Sequence, residues 1–322
     1  MIEAFWITFQ ESFLAVLKIG LVVVAAGFLV RRQMVTDLQV RALSDATIKI
    51  FVPCLIFSSI TQNLHPSTTP FWWSLPLFAV GITSFGLLLA GLFFRGNLPP
   101  KNNLLAISVF QNAGFMVLPI GQVLVPEQFD QFALYIFLYI LAHNPLIWSL
   151  GKVMVSRCGE NADRDPLTWK SLITPPLVAN LIALFLVFTG LRNQIPEPVS
   201  DSVQLLGQAT VPLATFVLGA SLGSIHFRWR SEKIDTARVL LIKLFLIPAA
   251  MWMFLSWTGL YHKQPLLGLF LMLEAAVAPA TSLVLAIRTY GGDLQKIGTI
   301  YIFSYLLSLF SIPFWVAMLQ FT

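Results

Sequence analysis

The stretch Gln111-Asn112-Ala113-Gly114-Phe115-Met116-Val117-Leu118-Pro119-Ile120 lies between apolar runs, and its reading decides the fold. Two carboxamides, a glycine and a proline fall within these ten residues. Proline removes a backbone donor and clashes with the preceding helical turn. The chain around it is that of a membrane protein. Apolar residues make up 57% of its 322 residues and charged residues only 11%, with a mean hydropathy of +0.79. Soluble domains carry about 25% charged residues. The stretch therefore breaks a segment that is otherwise fit to cross a bilayer.

A spanning helix takes about 20 mostly apolar residues. Runs of that kind are expected at 13–30, 42–60, 71–94, 102–125, 131–151, 171–191, 202–225, 239–260, 265–287 and 297–319, ten in all. Fifteen of the twenty Lys and Arg residues fall in alternate connections. They are Arg31, Arg32, Arg41, Arg95, Lys101, Lys152, Arg157, Arg164, Lys170, Arg228, Arg230, Lys233, Arg238, Arg288 and Lys296. The other connections hold only Arg192 and Lys263. Cationic loops stay in the cytoplasm, so both termini are expected on the non-cytoplasmic side of the plasma (bacterial inner) membrane. The first run has no basic segment before it and exceeds a signal-peptide core, so it reads as a retained span. Cations scattered between spans argue against a nucleic-acid partner. Cys54 and Cys158 have no metal spacing and are poor disulfide partners. No metal, catalytic residue or cofactor is expected.

The proline at 119 has an echo. Val52-Pro53 recurs as Val211-Pro212 after 159 residues, and Leu118-Pro119 recurs as Ala278-Pro279 after 160. Two prolines returning at nearly one offset suggest a duplicated unit of five spans. An odd number of spans inverts the second copy, and inverted repeats with interrupted spans point to the binding site of a secondary transporter. The fourth and ninth spans would each split into half-helices near the bilayer centre, with Gly114 and Pro119 bounding the first break. Pro119 and Pro279 would sit in the first turns of the second halves. Those helix starts offer free N–H groups and partial positive charge to an anion. Gln111, Asn112, Thr281 and Ser282 would add side-chain donors. The plain alternatives are two simple kinks and, for Asn112, an interhelical hydrogen bond.

Ionisable residues at membrane depth cost about 2.5–3.5 kcal/mol on insertion scales and need a reason. Glu274 precedes Pro279 by five residues and reads either as a site for a coupled H+ or Na+ or as a structural carboxyl. Asp45 and Lys49, four apart, can pair on one helix face or take part in gating. His143 and Asn144 reach the cavity or pack in the fifth span. Lys243 is expected to snorkel to the cytoplasm. Gly219-Ala220-Ser221-Leu222-Gly223 matches a hydrolase pattern that requires a strand-turn-helix setting. In a spanning helix the same letters read as G-x-x-x-G packing.

Five motifs in order, FVPCLIFSSI, QNAGFMVLPIGQ, VPLATFVLGASLG, KLFLIP and EAAVAPATSLVLAIRTYGGD, resemble the auxin efflux carrier family over nearly the whole chain. Plant PIN exporters and bacterial organic-acid permeases belong to that family. The resemblance implies an all-α membrane fold of ten helices in two inverted five-helix repeats, with helices four and nine crossing at their breaks. It implies that the substrate carboxylate lies at the crossing, with Asn112 as the crossover asparagine and Pro119 and Pro279 as the helix-breaking prolines. It further implies a scaffold of spans one, two, six and seven, with homodimers forming through spans two and seven, and a mobile unit of the other six. The central loop is short, unlike that of many plant exporters, and the family name does not make auxin the substrate.

The resulting expectation is a first repeat over 1–155, a cytoplasmic linker over 156–167 and a second repeat over 168–322. The function expected is transport of small organic anions, with export favoured, by an elevator-like movement. The alternative is a sodium- or proton-coupled carrier of the bile-acid or cation/proton exchanger type. The partners expected are the anion and the lipid bilayer.

Overall fold

A computed structural model of the chain describes residues 2–94, 98–156, 172–225, 233–284, 287 and 294–322. The linker from 157 on, Cys158, and the loop cations Arg95, Arg157, Arg164, Lys170, Arg228, Arg230 and Arg288 lie outside the described residues. The described chain is nearly all helical: α1 (Ile2–Arg31), α2 (Asp37–Asn63), α3 (Ser74–Phe93), α4 (Leu98–Val109), α5 (Val117–Leu124), α6 (Pro126–Ser156), α7 (Pro175–Thr189), α8 (Glu197–Gly223), α9 (Lys233–Thr258), α10 (Pro265–Ala276) and α11 (Leu294–Met318). Among the described residues, seven helices are long and apolar enough to cross a membrane, while α7 and α10 are shorter apolar helices. The first begins at Ile2, eleven residues ahead of the apolar run read from the sequence.

Local chemistry explains where these helices start, bend and stop. Thr36 opens α2 with a capping box: its hydroxyl takes the Gln39 N–H while the Gln39 side chain takes its own N–H. Thr174 caps α7, followed by Pro175 and Pro176 at positions that need no donor, and Gly190 closes it with φ at +74°. Widened turns at 47–51 and 242–246 precede Pro53 and Pro248 inside α2 and α9. Each gives the proline ring room against the preceding turn. The Leu244 carbonyl, four residues before Pro248, accepts from Ser311 Oγ and Trp315 Nε1 of α11, both at 2.9 Å. In lipid such a freed carbonyl must find a partner inside the protein.

Helix α1 packs on α8 and α11; α2 packs on α7 and on the first half of α8; α3 packs on α6; α10 packs on α9 and α11. Glycine sets the α1–α8 approach. A Cβ on Gly223 would lie 2.6 Å from the Cα of Gly27, and one on Gly219 would lie 2.3 Å from the Val23 carbonyl oxygen. The Gly219–Gly223 pattern thus sits inside a continuous helix and serves close helix packing. Outer faces carry large apolar side chains, such as Leu14, Leu21 and Val24 of α1 and Phe185 and Phe188 of α7, as a lipid-facing surface requires.

Candidate functional site

The helical chain stops at Val109 and resumes at Val117. A second interruption follows Ala276, and helical turns resume at 282. The two interruptions meet as a short antiparallel bridge between Gln111 and Pro279. Asn112 N–H donates to the Ala278 carbonyl and Ala280 N–H to the Phe110 carbonyl, each at 3.0 Å. Gln111 and Pro279 are therefore opposed at a position where neither N–H enters the ladder. A proline there removes no bond. This corrects the expected place of Pro279: it lies in the extended break rather than in the first turn after it. Pro119 does lie in the first turn of α5. Gly114 lies within the break, which ends at Met116.

Every carbonyl from Val109 to Asn112 has a donor. Val109 takes the Lys243 ammonium at 3.3 Å, Phe110 the Ala280 N–H, Gln111 the His143 Nε2–H at 3.0 Å and Asn112 the Met116 N–H at 3.3 Å. Across the bridge, Ala278 takes the Asn112 N–H, Pro279 the Tyr305 hydroxyl at 2.9 Å and Ala280 the Tyr301 hydroxyl at 2.7 Å. Irregular backbone at membrane depth persists only when paired in this way or when it lines a cavity. Asn112 Nδ2 donates to Tyr305 at 2.7 Å, and Gln111 Nε2 donates to the Tyr139 hydroxyl. One hydroxyl on α11 thus ties both sides of the crossing together.

The donors are a different matter. Among the described residues, no acceptor takes the N–H groups of Ala113, Gly114, Phe115 or Ser282. All four residues line a cavity of about 180 Å³ beside the bridge, with Gln111, Asn112, Leu118, His143, Asn144 and Ala280. Its opposite wall comes from Ile48 and Val52 of α2, Pro175 and Pro176 of α7 and Thr210 and Ala214 of α8. A Cβ on Gly114 would meet nothing within 4 Å, so this glycine leaves the cavity open. Four backbone N–H groups against the two unpaired carbonyls of Ala113 and Phe115 leave this backbone with more free donors than acceptors, which suits an electron-rich guest.

A family model described as membrane transport protein matches residues 12–316. The chain belongs to this family, that of the auxin efflux carriers. It is an integral membrane transporter. An uncharacterized transporter of Methanocaldococcus jannaschii is 29% identical over 189 residues, which cover 56% of this chain and 59% of that protein. The protein PIN-LIKES 1 of Arabidopsis thaliana is 24% identical over a match covering 95% of this chain and 78% of its own. PIN-LIKES 4 of the same plant is 28% identical over 160 residues, 45% of this chain and 39% of its own.

Behind the crossing this family member buries charge. Lys243 is fully buried, and its ammonium binds the Val109 carbonyl at the C-terminal end of α4, where a cation is favoured. The expected snorkelling to the cytoplasm is thus corrected. The carbonyl left open by the helix break attracts the ammonium inward. Glu274 on α10 is also fully buried, with neither carboxylate oxygen hydrogen-bonded. Glu274 follows Phe270 by one turn, and the Phe270 ring meets that of Tyr139 at 5.7 Å. The Oε1 of Gln111 and Nδ1 of His143 are likewise buried without partners.

Asp45 and Lys49 stand apart from this carrier's crossing. They form an exposed ion pair at 2.8 Å, with side chains 66% and 62% accessible. That is the local pairing their spacing allowed, of little energetic consequence. Thr281 lies at the end of the second interruption, one residue before helical turns resume. Sequence reasoning missed Tyr139, Lys243, Tyr301 and Tyr305 as parts of the crossing. Tyr301 and Tyr305 left a readable signal: two hydroxyls four residues apart in an apolar span share one face.

Proposed function

We propose that the chain carries small organic anions across the membrane by alternating access, with the carboxylate held at the crossing of the two interrupted helices. The observation that carries this reading is the donor surplus at the bridge. The carbonyls from Val109 to Asn112 and from Ala278 to Ala280 are paired and those of Ala113 and Phe115 are not, while the N–H groups of Ala113, Gly114, Phe115 and Ser282 all lack an acceptor beside the cavity. Ala113 is buried and the other three residues are half-buried beside the cavity, where a carboxylate oxygen would replace water as the acceptor with a stronger, charge-assisted bond. Asn112 keeps a second amide hydrogen beyond the one given to Tyr305. The ten-span, inverted-repeat plan rests on the proline offsets and on the joining of the breaks at 111 and 279.

The moving unit is α3–α6 with α9–α11, and the scaffold is α1, α2, α7 and α8. Support comes from the cavity, which has the crossing on one wall and α2, α7 and α8 on the other. Exposed Leu38 and Ile50 on α2 and Leu205 and Leu206 on α8 give a homodimer an apolar face. With both termini outside the cytoplasm, an inside-negative potential drives an anion outward with about 2.3 kcal/mol per charge per 100 mV. Glu274, buried without a donor, is the group at which H+ or Na+ would couple. Transport by Asn112→Ala in liposomes tests the site. A raised KM or lowered rate for carboxylates is expected, and wild-type values for every anion tried would sink the assignment.

A further inference from the structure

A second cavity, of about 410 Å³, lies between the same two groups of helices. It is lined by the carboxamides of Gln62, Asn63, Gln122, Gln204 and Gln208 and by Ser59. The two cavities are consecutive. On α2, Val52 lines the first and Leu55 the second; on α5, Leu118 lines the first and Gln122 the second; on α8, Thr210 and the adjacent Val211 do the same. On α2 and α5 the nearest lining residues are three or four apart, about 5 Å along the helix, and on α8 they adjoin.

The chemistry of the two differs. The first offers donors to an anion; the second offers carboxamides, which donate and accept equally and carry no charge. Among the described residues, its one charged lining residue is the exposed Asp130, and no cation lines it. Ser59 adds an unsatisfied hydroxyl to this wall: the residue is only 6% exposed, and its buried Oγ has no partner. Gln62 reaches Ser200 and Gln204 only through long contacts of 3.4 and 3.3 Å, readily exchanged for a ligand.

We infer that the second cavity is a subsite for the uncharged, hydroxyl-bearing part of the substrate, so that the carrier selects hydroxylated aliphatic carboxylates over apolar or aromatic ones. This rests on the carboxylate site proposed above. The spacing fits: a hydroxyl three or four bonds of about 1.5 Å from a carboxylate spans one helical turn. Carboxamides on α5 and α8 would then hold the substrate from both sides of the moving interface.

The test is transport of propionate, lactate, glycerate, gluconate and phenylacetate by the full chain in liposomes. We expect kcat/KM to rise with hydroxyl number, with glycerate exceeding propionate at least tenfold. Gln122→Leu and Ser59→Ala should each cut the glycerate-to-propionate ratio three- to tenfold, since a site built to bond a hydroxyl loses discrimination with that bond. Wild-type protein that carries propionate or phenylacetate as well as the hydroxylated acids overturns this inference and leaves the carboxylate site standing. So does a ratio that survives both substitutions. If none of these anions is carried, the carboxylate site falls and this inference with it.

Discussion

Replacing Tyr305 by Phe removes one hydroxyl and two hydrogen bonds: that from Asn112 Nδ2 at 2.7 Å and that to the Pro279 carbonyl at 2.9 Å. The Pro279 carbonyl is buried in the break and has no other donor among the described residues, so it bears the full cost of an orphaned acceptor, about 1–3 kcal/mol. Asn112 borders the cavity, where water can take its donor, and the second loss is about 1 kcal/mol. The sum is about 2–4 kcal/mol, or a fall in Tm of about 3–6 °C for a chain of this length. Tyr301→Phe is the control. The Ala280 carbonyl it abandons still accepts the Leu283 N–H at 3.2 Å, so the loss is about 1 kcal/mol. Thermal unfolding in detergent, followed by tryptophan fluorescence, should rank Tyr305→Phe well below Tyr301→Phe. A cycle of Asn112→Ala, Tyr305→Phe and the double variant should show a coupling of about 1–2 kcal/mol. A Tyr305→Phe Tm within a degree of wild type, or strictly additive effects, refutes the claim that this hydroxyl ties the two breaks together.

Lys243→Met leaves the Val109 carbonyl as a buried acceptor without a donor, a loss of about 1–3 kcal/mol read as lower yield and Tm, and an unchanged Tm would show that the ammonium does not satisfy that carbonyl. Gly223→Ala places a Cβ 2.6 Å from the Gly27 backbone and should cost about 1–3 kcal/mol by thermal unfolding, whereas Gly81→Ala, with nothing within 4 Å, should not. Gly114→Ala meets no neighbour within 4 Å, so its Tm should hold while transport falls as the cavity shrinks, and unchanged KM and rate would place the substrate elsewhere. Asp45→Asn should change Tm by no more than about 1 kcal/mol's worth and leave transport unaltered, because its ion pair is exposed.

Local features of this fold were legible because their causes are local. The Asp45–Lys49 pair follows from a spacing of four on one helix, and the Gly219–Gly223 stripe from small residues one turn apart. The interruption at 110–116 follows from carboxamides, Gly114 and Pro119 in an apolar run. What those features meet is not written beside them. Gly219 and Gly223 do not name α1 as their partner, and nothing near Pro279 gives its register against Gln111. Lys243 shows the difficulty best. Five residues from Arg238, it has the spacing of a cation that snorkels to the membrane surface. The open Val109 carbonyl that draws it inward lies 134 residues away in sequence. Pro279 was misplaced because a proline after a break suits a helix start as well as an unpaired ladder position.

The central claim is that the crossing binds a carboxylate through unpaired N–H donors. Thermal stabilisation in detergent by a carboxylate and by its neutral amide of the same shape, such as glycerate against glyceramide, tests it most directly. Concentration-dependent stabilisation by the acid, absent with the amide and weakened in Asn112→Ala, is the expected result. Equal stabilisation by acid and amide, or a response to the acid unaltered in Asn112→Ala, contradicts it.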